Sequence, residues 1–487
     1  MPRLKVITVL IVLLTARLCN QYDFGFRTYS REYVVPQYSA QQTDRYLCLI
    51  LGLCHASIAY GQSSKFKKIY EWTSLDFDYE SDSARQHDIQ IGNFHQGEIA
   101  PIDVDVYYAH EAKPVIFVAI PRFQAGVPVT LGVIQGHTGT IPKIKPYPNW
   151  SSQRHSQSCG PDRIISVFRV QVDSKCNKLW VMDTGKILDK QVCPPQIIAF
   201  DLKDNRKIHQ FDLDKSLYSD ASIFVTPIVD TRDNCQKTFV YLADCQAFSI
   251  VVYDAFNNKA WKVSDKSMYP SPEYGTYSIQ GDSFDLMDGV LGMALEPYVP
   301  GRDRKLFFHA MSSATETWVY TSQLRNESLF SHGPLTNPDI FHTYKGKRDS
   351  QTAAEGIDKN GVAFFGQMSK TSIHCWNTDL PYGGENIQLV EYNPKTLQFA
   401  SGLKIVNHPQ GFQELWVLTS RFQKVAVGTL NPQEINFRIQ SVTTDDAVRG
   451  TSCRRSLSNR YPGSGSGGYG GYGKKPLAST DRIIFTS

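Results

Sequence analysis

The strongest constraint on the fold is a pattern of paired apolar runs that recurs six times along the chain. Each copy has a short apolar run with an aromatic residue near its start, a polar or small stop, a loop, and a second apolar run. The starts of the six copies are 64, 60, 67, 56 and 53 residues apart. This spacing is longer than a solenoid repeat and suits a four-stranded sheet with long loops. The six starts are Val115, Leu179, Phe239, Leu306, Val362 and Leu415.

Further strand-like runs flank these pairs. One precedes the pair, as at 164–172 and 222–229, and another follows it, as at 207–213 and 259–263. A lone four-stranded sheet leaves both faces in water, whereas six sheets packed around an axis cover one another. The sequence therefore predicts an all-β protein, a six-bladed β-propeller with four-stranded blades around a central channel.

Composition agrees with a folded protein and excludes some partners. Hydrophobic residues make up 41% of the 487 residues, which is enough for a sizeable core. The 51 basic and 47 acidic residues give a net charge of +4, which argues against a strongly basic nucleic-acid-binding protein. We expect no nucleic-acid partner.

The first 59 residues resemble a leader. Arg3 and Lys5 precede an apolar run at 6–14, and a second apolar run at 46–54 ends in Ser57-Ile58-Ala59, with small residues at the spacing that a signal peptidase reads. We predict a leader at 1–59, cleavage after Ala59 and secretion to the extracellular space. Both runs fall short of about 20 apolar residues, so we expect no membrane anchor. The alternative is that 46–59 is a buried strand or helix of the mature fold.

The C-terminal end changes composition. Residues 456–487 are rich in Gly, Ser and Tyr and have too few apolar groups to pack, so we predict a flexible tail after a propeller at 60–455. A G-x-G-x-x-G match in this tail carries no phosphate-binding function, because no strand precedes it and no helix follows it.

Seven cysteines remain after the predicted cleavage, and none form a C-x-x-C pair, which argues against a zinc ribbon. In a secreted chain they indicate disulfides with one cysteine left over. Two triplets, at Asn149 and Asn326, are glycosylation acceptors. The chain has no G-x-S-x-G or H-E-x-x-H motif, and its 12 histidines are scattered, so we predict neither a metal site nor a cofactor.

Several segments resemble the yellow / major royal jelly protein family of insects, and the likeness extends in register over about residues 66–455. The segments that carry it are 164–170 (IISVFRV), 179–185 (LWVMDTG), 251–254 (VVYD), 289–295 (GVLGMAL), 361–366 (GVAFFG), 375–377 (CWN) and 450–453 (GTSC). The resemblance implies a secreted six-bladed propeller. Members of the family act in cuticle melanisation, convert dopachrome, bind biogenic amines, or serve as food or reproductive proteins.

The resemblance implies a secreted protein of cuticle pigmentation that binds a small aromatic amine or a catechol- or indole-derived ligand at one mouth of the channel. Three alternatives stay open. The first is a dopachrome conversion enzyme, that is, a tautomerase or decarboxylating isomerase. The second is a structural protein of the extracellular or cuticle matrix, or a food or reproductive protein. The third is a metal-dependent, lactonase-like propeller.

The propeller arrangement implied by the family also suggests which cysteines pair. It favours Cys176 with Cys235, Cys159 with Cys193, and Cys375 with Cys453, although six cysteines allow fifteen pairings. Cys245 stands where most relatives have a Gly-Tyr-Gly-like turn, and it is the expected free thiol.

We expect the ligand at the mouth where the second strands of the blades end and the inner strands begin. Predicted catalytic residues are His309, Asp183 and Glu355, with His309 or a carboxylate as the base that takes a proton beside a ring carbonyl. Predicted ligand-binding residues are Phe224, Asp244, Asp288 and Gln367; a carboxylate would pair with an ammonium group and Phe224 with an aromatic ring. For Asp183 and Asp244 the competing interpretation is a turn cap, for His309 a buried structural histidine, and for Phe224 plain core.

Overall fold

The computed structural model describes residues 64–109, 113–134, 141–154, 159–335 and 337–454. The predicted leader at 1–59 and the predicted tail at 456–487 lie outside these residues. Nearly all of the described chain is strand and loop, and no helix within it is long and apolar enough to cross a bilayer.

Six four-stranded antiparallel sheets form the body of the protein, which confirms the predicted all-β, six-bladed propeller. From the inner to the outer strand, the first three blades consist of Asp103–Tyr108, Pro114–Ala119, Leu131–Ile134 and Lys145–Pro146 (blade 1); Val167–Asp173, Lys178–Asp183, Gln196–Asp201 and Lys207–Asp212 (blade 2); and Phe224–Thr231, Thr238–Asp244, Ser249–Asp254 and Lys259–Val263 (blade 3). The other three consist of Val290–Leu295, Lys305–Ala310, Thr317–Tyr320 and His342–Thr343 (blade 4); Glu355–Ile357, Val362–Gln367, Ser372–Asn377 and Ile387–Tyr392 (blade 5); and Ala400–Asn407, Gln413–Thr419, Phe437–Thr443 and Lys67–Trp72 (blade 6).

Blade 6 closes the ring with strands from both ends of the described chain. Its outer strand, Lys67–Trp72, pairs with Phe437–Thr443, and Trp72 lies opposite Phe437. Trp72 is 2% exposed and packs in a cluster that also contains Trp416, while its indole N–H donates to the Pro142 carbonyl at 3.0 Å. The strand thus joins residues that are more than 360 positions apart in sequence.

The inner strands surround the channel in parallel. Each contacts the inner strands of both neighbouring blades, including blade 6 with blade 1. Asp103 and Asp105 of blade 1 accept hydrogen bonds from the backbone of Val170 and Val172 of blade 2, in the same order along both strands. All inner strands therefore start at one mouth, which we call the start mouth, and end at the other, the end mouth.

Short hairpins, α-helices and 3-10 turns lie in the loops of this ring. Two hairpins are formed by Lys186–Ile187 with Lys190–Gln191 and by Thr276–Ile279 with Asp282–Asp285. The α-helices are Asp82–Gln90, Trp150–Gln153, Thr321–Leu324, Phe422–Ala426 and Thr444–Ala447. Single 3-10 turns are Lys215–Leu217, Lys266–Met268, Pro272–Tyr274, Glu327–Phe330, Pro338–Ile340 and Gly384–Asn386.

The described residues form three disulfides, and these join the same cysteines that the sequence analysis pairs: Cys159–Cys193, Cys176–Cys235 and Cys375–Cys453. Cys245 is free and buried. The Cys176–Cys235 bridge links the turns after the inner strands of blades 2 and 3, so it lies at the end mouth.

Candidate functional site

The start mouth is covered by aromatic rings. Phe422, on the helix Phe422–Ala426, lies 5.8 Å from the ring of Phe123, 5.9 Å from that of Phe284 and 4.9 Å from that of Phe399. Phe123 in turn contacts Phe168, at the beginning of the blade 2 inner strand. Lys424 and Asp282 form an ion pair at 3.1 Å that fastens the helix to the hairpin. Rings from blades 1, 2 and 6 and from this hairpin thus close the start mouth.

The end mouth opens into a cavity of about 470 Å³ that all six blades line. This volume is within the range of small-ligand sites. Arg169 crosses its inner end. The guanidinium is buried and donates to the Thr226 hydroxyl at 3.1 Å, the Ala353 carbonyl at 3.1 Å and the Ser401 carbonyl at 2.6 Å, on or beside the inner strands of blades 3, 5 and 6. In the described part of the chain all of its hydrogen bonds go to neutral oxygens, so this cation has no hydrogen-bonded carboxylate.

Glu355 lies at the same inner end of the cavity. Its side chain is 3% exposed, and its Oε1 has no hydrogen-bond partner among the described residues. Burial, followed by the charge of Glu316, raises the pKa of Glu355 to about 8. A carboxyl group with such a pKa can take up or release a proton near neutral pH, which is what a general acid–base catalyst requires.

Behind Glu355 lies a buried cluster of charged side chains, which we call the acid cluster: Glu355, His309, Glu316 and Arg348. His309 Nδ1 is 3.0 Å from Glu316 Oε2 and 3.6 Å from Glu355 Oε2. Burial and the nearby Arg348 lower the pKa of His309 to about 3, and burial raises the pKa of Glu316 to about 8. The imidazole is therefore neutral at physiological pH.

The acid cluster also has the donor atoms of a metal site. One ligand atom from each of His309, Glu316 and Glu355 lies within 4.8 Å of the other two. However, Arg348 Nη1 is 3.5 Å from Glu316 Oε2 and would repel a second cation. The cluster therefore has metal-type donor atoms with an arginine beside them.

The cavity rim carries an aromatic side chain. Tyr298 lies in the loop between the first two strands of blade 4, lines the cavity, and donates to Asp233 at 2.5 Å. Arg304, in the same loop, donates to Asp230 at 2.8 Å and so ties it to blade 3. Asp105, deeper in the cavity, has a pKa raised by burial to about 7. The site thus combines a flat ring, an unpaired cation and weakly acidic carboxyl groups.

Of the seven predicted site residues, the structure brings together His309 and Glu355. Asp183 ends the second strand of blade 2 and accepts from the backbone N–H groups of Ile165, Ser166 and Gly185 and from Gln196. These contacts match the competing turn-cap interpretation. Burial raises the pKa of Asp183, and these hydrogen bonds act against that shift.

The other four predicted residues lie toward the start mouth and do not line the cavity. Asp244 accepts from the backbone of Ile223 and Ala247. Phe224 is fully buried in the apolar cluster between blades 2 and 3. Asp288 accepts from Gln246 and has a pKa raised by desolvation to about 6, and Gln367 is buried at the end of its strand.

Sequence reasoning missed Arg169, Glu316, Arg348 and Tyr298. For Arg169 a signal exists, because it is the one charged residue in the apolar run 164–170 of a predicted inner strand. The other three lie in or next to loops, and no pattern in the sequence places them beside the channel.

Similarity to known proteins was found in sequence and in structure. A family model described as "Major royal jelly protein" matches residues 165–453. Major royal jelly protein 9 of Apis mellifera is 33% identical over 422 residues, covering 84% of this chain and 94% of that protein. The dopaminechrome tautomerase of Drosophila melanogaster is 31% identical over 402 residues, covering 80% of this chain and 84% of that protein. Among solved structures, virginiamycin B lyase from Staphylococcus aureus aligns with a TM-score of 0.36 at 9% identity, over 72% of this chain and 96% of that chain.

Proposed function

Since the chain belongs to the major royal jelly protein family, we propose that it binds a small catechol- or indole-derived aromatic in the end-mouth cavity and isomerises it by proton transfer. The favoured substrate class is an aminochrome, the indole quinone formed from a catecholamine. The similarity to a protein named dopaminechrome tautomerase supports this class. We further propose that the protein is secreted and acts in pigmentation of the cuticle.

The observation that carries the proposal is that Glu355 and Arg169 both line the inner end of one cavity. Isomerisation of an aminochrome to a dihydroxyindole removes protons from ring carbons and adds protons to the quinone oxygens, without a net change in atoms or electrons. Glu355 would take a proton from carbon, because its Oε1 lacks a partner. Arg169 would stabilise the negative charge that develops on a quinone oxygen, since its charge is not neutralised by a bonded carboxylate.

The lining of the cavity supports the proposed binding of an aromatic ring. Tyr298 offers a face at the rim, and the cavity wall between rim and floor includes Met293, Leu403 and Ile405. Aromatic rings pack well against such surfaces. An amine that cannot tautomerise, such as dopamine or serotonin, would place its ammonium group near the Glu355 carboxylate and act as a competitive ligand.

The test is turnover of dopaminechrome and dopachrome by the purified protein, followed as loss of their visible absorbance. Glu355→Gln should lower kcat/KM by about 10²- to 10⁴-fold, as expected for loss of a general base. Arg169→Met should lower it by about 10²- to 10³-fold. The matched control is Asp285→Asn, the same carboxylate-to-amide change in the hairpin over the start mouth, which should leave kcat/KM unchanged.

Two outcomes would overturn parts of the proposal. If neither substrate turns over faster than in buffer but calorimetry detects dopamine or serotonin binding that Glu355→Gln abolishes, the protein is a carrier and not an isomerase. If Glu355→Gln and Arg169→Met fold normally and keep full turnover, the chemistry does not take place in this cavity.

A further inference from the structure

The ring of His309 faces hydrogen-bond acceptors on both sides. Nε2 is 3.2 Å from the Thr352 carbonyl, and Nδ1 is 3.0 Å from Glu316 Oε2. A carbonyl oxygen only accepts, so the proton of a neutral imidazole must be on Nε2. Nδ1 then carries a lone pair, and whatever faces it must donate.

Two protonation states satisfy this geometry. Either His309 is an imidazolium that donates to two acceptors, or it is neutral and Glu316 is a carboxylic acid whose O–H donates to Nδ1. An imidazolium is unfavourable here, since the side chain is 1% exposed and Arg348 already places a positive charge nearby. The neutral ring and a protonated Glu316 are therefore favoured.

Glu355 differs from Glu316 in its surroundings. Its Oε2 is 3.6 Å from Nδ1, too far for a hydrogen bond, and the side chain lines the cavity, so it is the carboxyl group that can exchange a proton with a bound molecule. Two carboxyl groups this close to one histidine resist double ionisation. One proton on Glu316 and one negative charge on Glu355 leave the pair with a single charge, which Arg348 balances.

The other charged and titratable groups around the pair are compatible with this arrangement. Arg348 donates to the carbonyls of Ser313, Thr315 and Ser350 and to the Tyr382 hydroxyl, so it does not depend on Glu316 for its hydrogen bonds. Burial raises the pKa of Tyr382, which keeps the phenol neutral. Arg169 lies on the cavity side and adds a second positive charge within reach of the cluster.

We propose that Glu316 is a positioning residue that keeps its proton when Glu355 loses one, so that Glu355 is the carboxyl group of the pair that ionises and faces the cavity as the base. This inference rests on the proposed function of Glu355. Glu316 does not touch the cavity and acts through His309. Glu316 is thus a carboxylic acid that the protein interior keeps neutral. Thr352 contributes because its carbonyl fixes the tautomer of His309.

The first experiment needs no substrate. In protein labelled with ¹⁵N-histidine, the ring signals of His309, assigned by their absence in His309→Gln, should show a protonated Nε2 and an unprotonated Nδ1 at pH 7. Glu316→Gln should keep this pattern, because the amide N–H₂ donates to Nδ1 as the acid does. Protonation of both ring nitrogens in the unmodified protein would overturn the inference, whether or not any aminochrome turns over.

The second experiment tests the proton on Glu316 through the pH dependence of kcat/KM. Glu316→Gln should keep kcat/KM for dopaminechrome within about threefold at its plateau, and the acid limb of the pH profile should stay in place, since residue 316 is neutral both as the acid and as the amide. Glu316→Met, of similar volume but without a donor, should lose about tenfold or more at the same pH. Equal losses in both variants at every pH would indicate a merely structural role and refute the inference.

Discussion

The strand that closes the ring gives the prediction with the best-defined magnitude. Trp72→Ala removes a side chain that is 2% exposed and whose indole donates to Pro142. A buried tryptophan removes about 150–250 Å² from water, worth about 4–6 kcal/mol, and measured Trp→Ala losses in cores are about 3–5 kcal/mol. We expect the free energy of unfolding to fall by about 4 kcal/mol. For a folded unit of this size the entropy of unfolding is about 0.8 kcal/mol/K, so Tm should drop by about 5 °C.

The assay is urea unfolding followed by tryptophan fluorescence and far-UV circular dichroism, with Leu389→Ala as the matched control. Leu389 also lies on an outer strand, in blade 5, but it is 51% exposed, so its truncation should change the free energy by less than about 0.5 kcal/mol. If Trp72→Ala unfolds at the same urea concentration as Leu389→Ala, the N-terminal strand does not hold the ring together, and the reasoning about closure fails.

Three further predictions concern stability and processing. Replacing Cys176 and Cys235 together by Ala should lower the free energy of unfolding by about 4 kcal/mol, because the bridge closes a loop of sequence separation 59; urea unfolding of this variant and of the unmodified protein, both without reductant, would measure the loss. Between pH 6.5 and 8 the free energy of unfolding should fall as pH rises, by about 1.4 kcal/mol per pH unit for each proton that the folded protein retains. The cause is that folding raises the pKa of Glu316 from 4.5 to about 8, so in this range the unfolded chain has already lost a proton that the folded protein still holds. Below pH 6.5 the lowered pKa of His309 has the opposite effect on stability. Glu316→Gln should make that slope shallower, with Glu355 supplying the remainder, and an unchanged slope would contradict the raised pKa of Glu316. Asn149→Gln and Asn326→Gln should each lower the mass of the protein secreted by insect cells by one glycan, since both asparagines are exposed; an unchanged mass would show that the site is not used.

The repeat in the sequence predicts the ring because each blade buries its apolar residues on the two faces of one sheet. The segments from Leu179 to Asp183 and from Phe239 to Asp244 are short, nearly continuous apolar runs typical of strands buried on both faces, and the structure has strands there. The closing role of Lys67–Trp72 was not predicted, since one isolated strand has no local signal for a partner more than 360 residues away. Ring closure pairs two distant parts of the chain, so no short segment of the sequence predicts it.

The location of the cavity was harder to predict for a different reason. Strand order alone makes the two mouths equivalent, and the predicted residues cluster at the start mouth because polar residues such as Asp183 and Asp244 end strands there. The structure shows that these carboxylates bond backbone N–H groups. What covers the start mouth is a helix and a hairpin from different parts of the chain, whose meeting through Phe422 and Phe284 no local pattern indicates.

The acid cluster was half predicted. His309 and Glu355 stand out because they are polar residues at the ends of apolar strands, and the structure joins them. Glu316 and Arg348 belong to chain segments whose sequences resemble ordinary loops: Glu316 lies in the hairpin loop that follows His309, and Arg348 reaches it from the segment between blades 4 and 5. The charges around a buried group come from residues that are neighbours in space and not in sequence, so composition and spacing do not predict them.

The aromatic rings over the start mouth turn the channel into a blind tunnel. A ligand that enters past Tyr298 has to leave through the same mouth before the next one can bind, so entry and release use one passage. Under the proposed function, released dihydroxyindole would compete with fresh aminochrome for the tunnel, and the steady rate would slow as the product accumulates even when ample substrate remains.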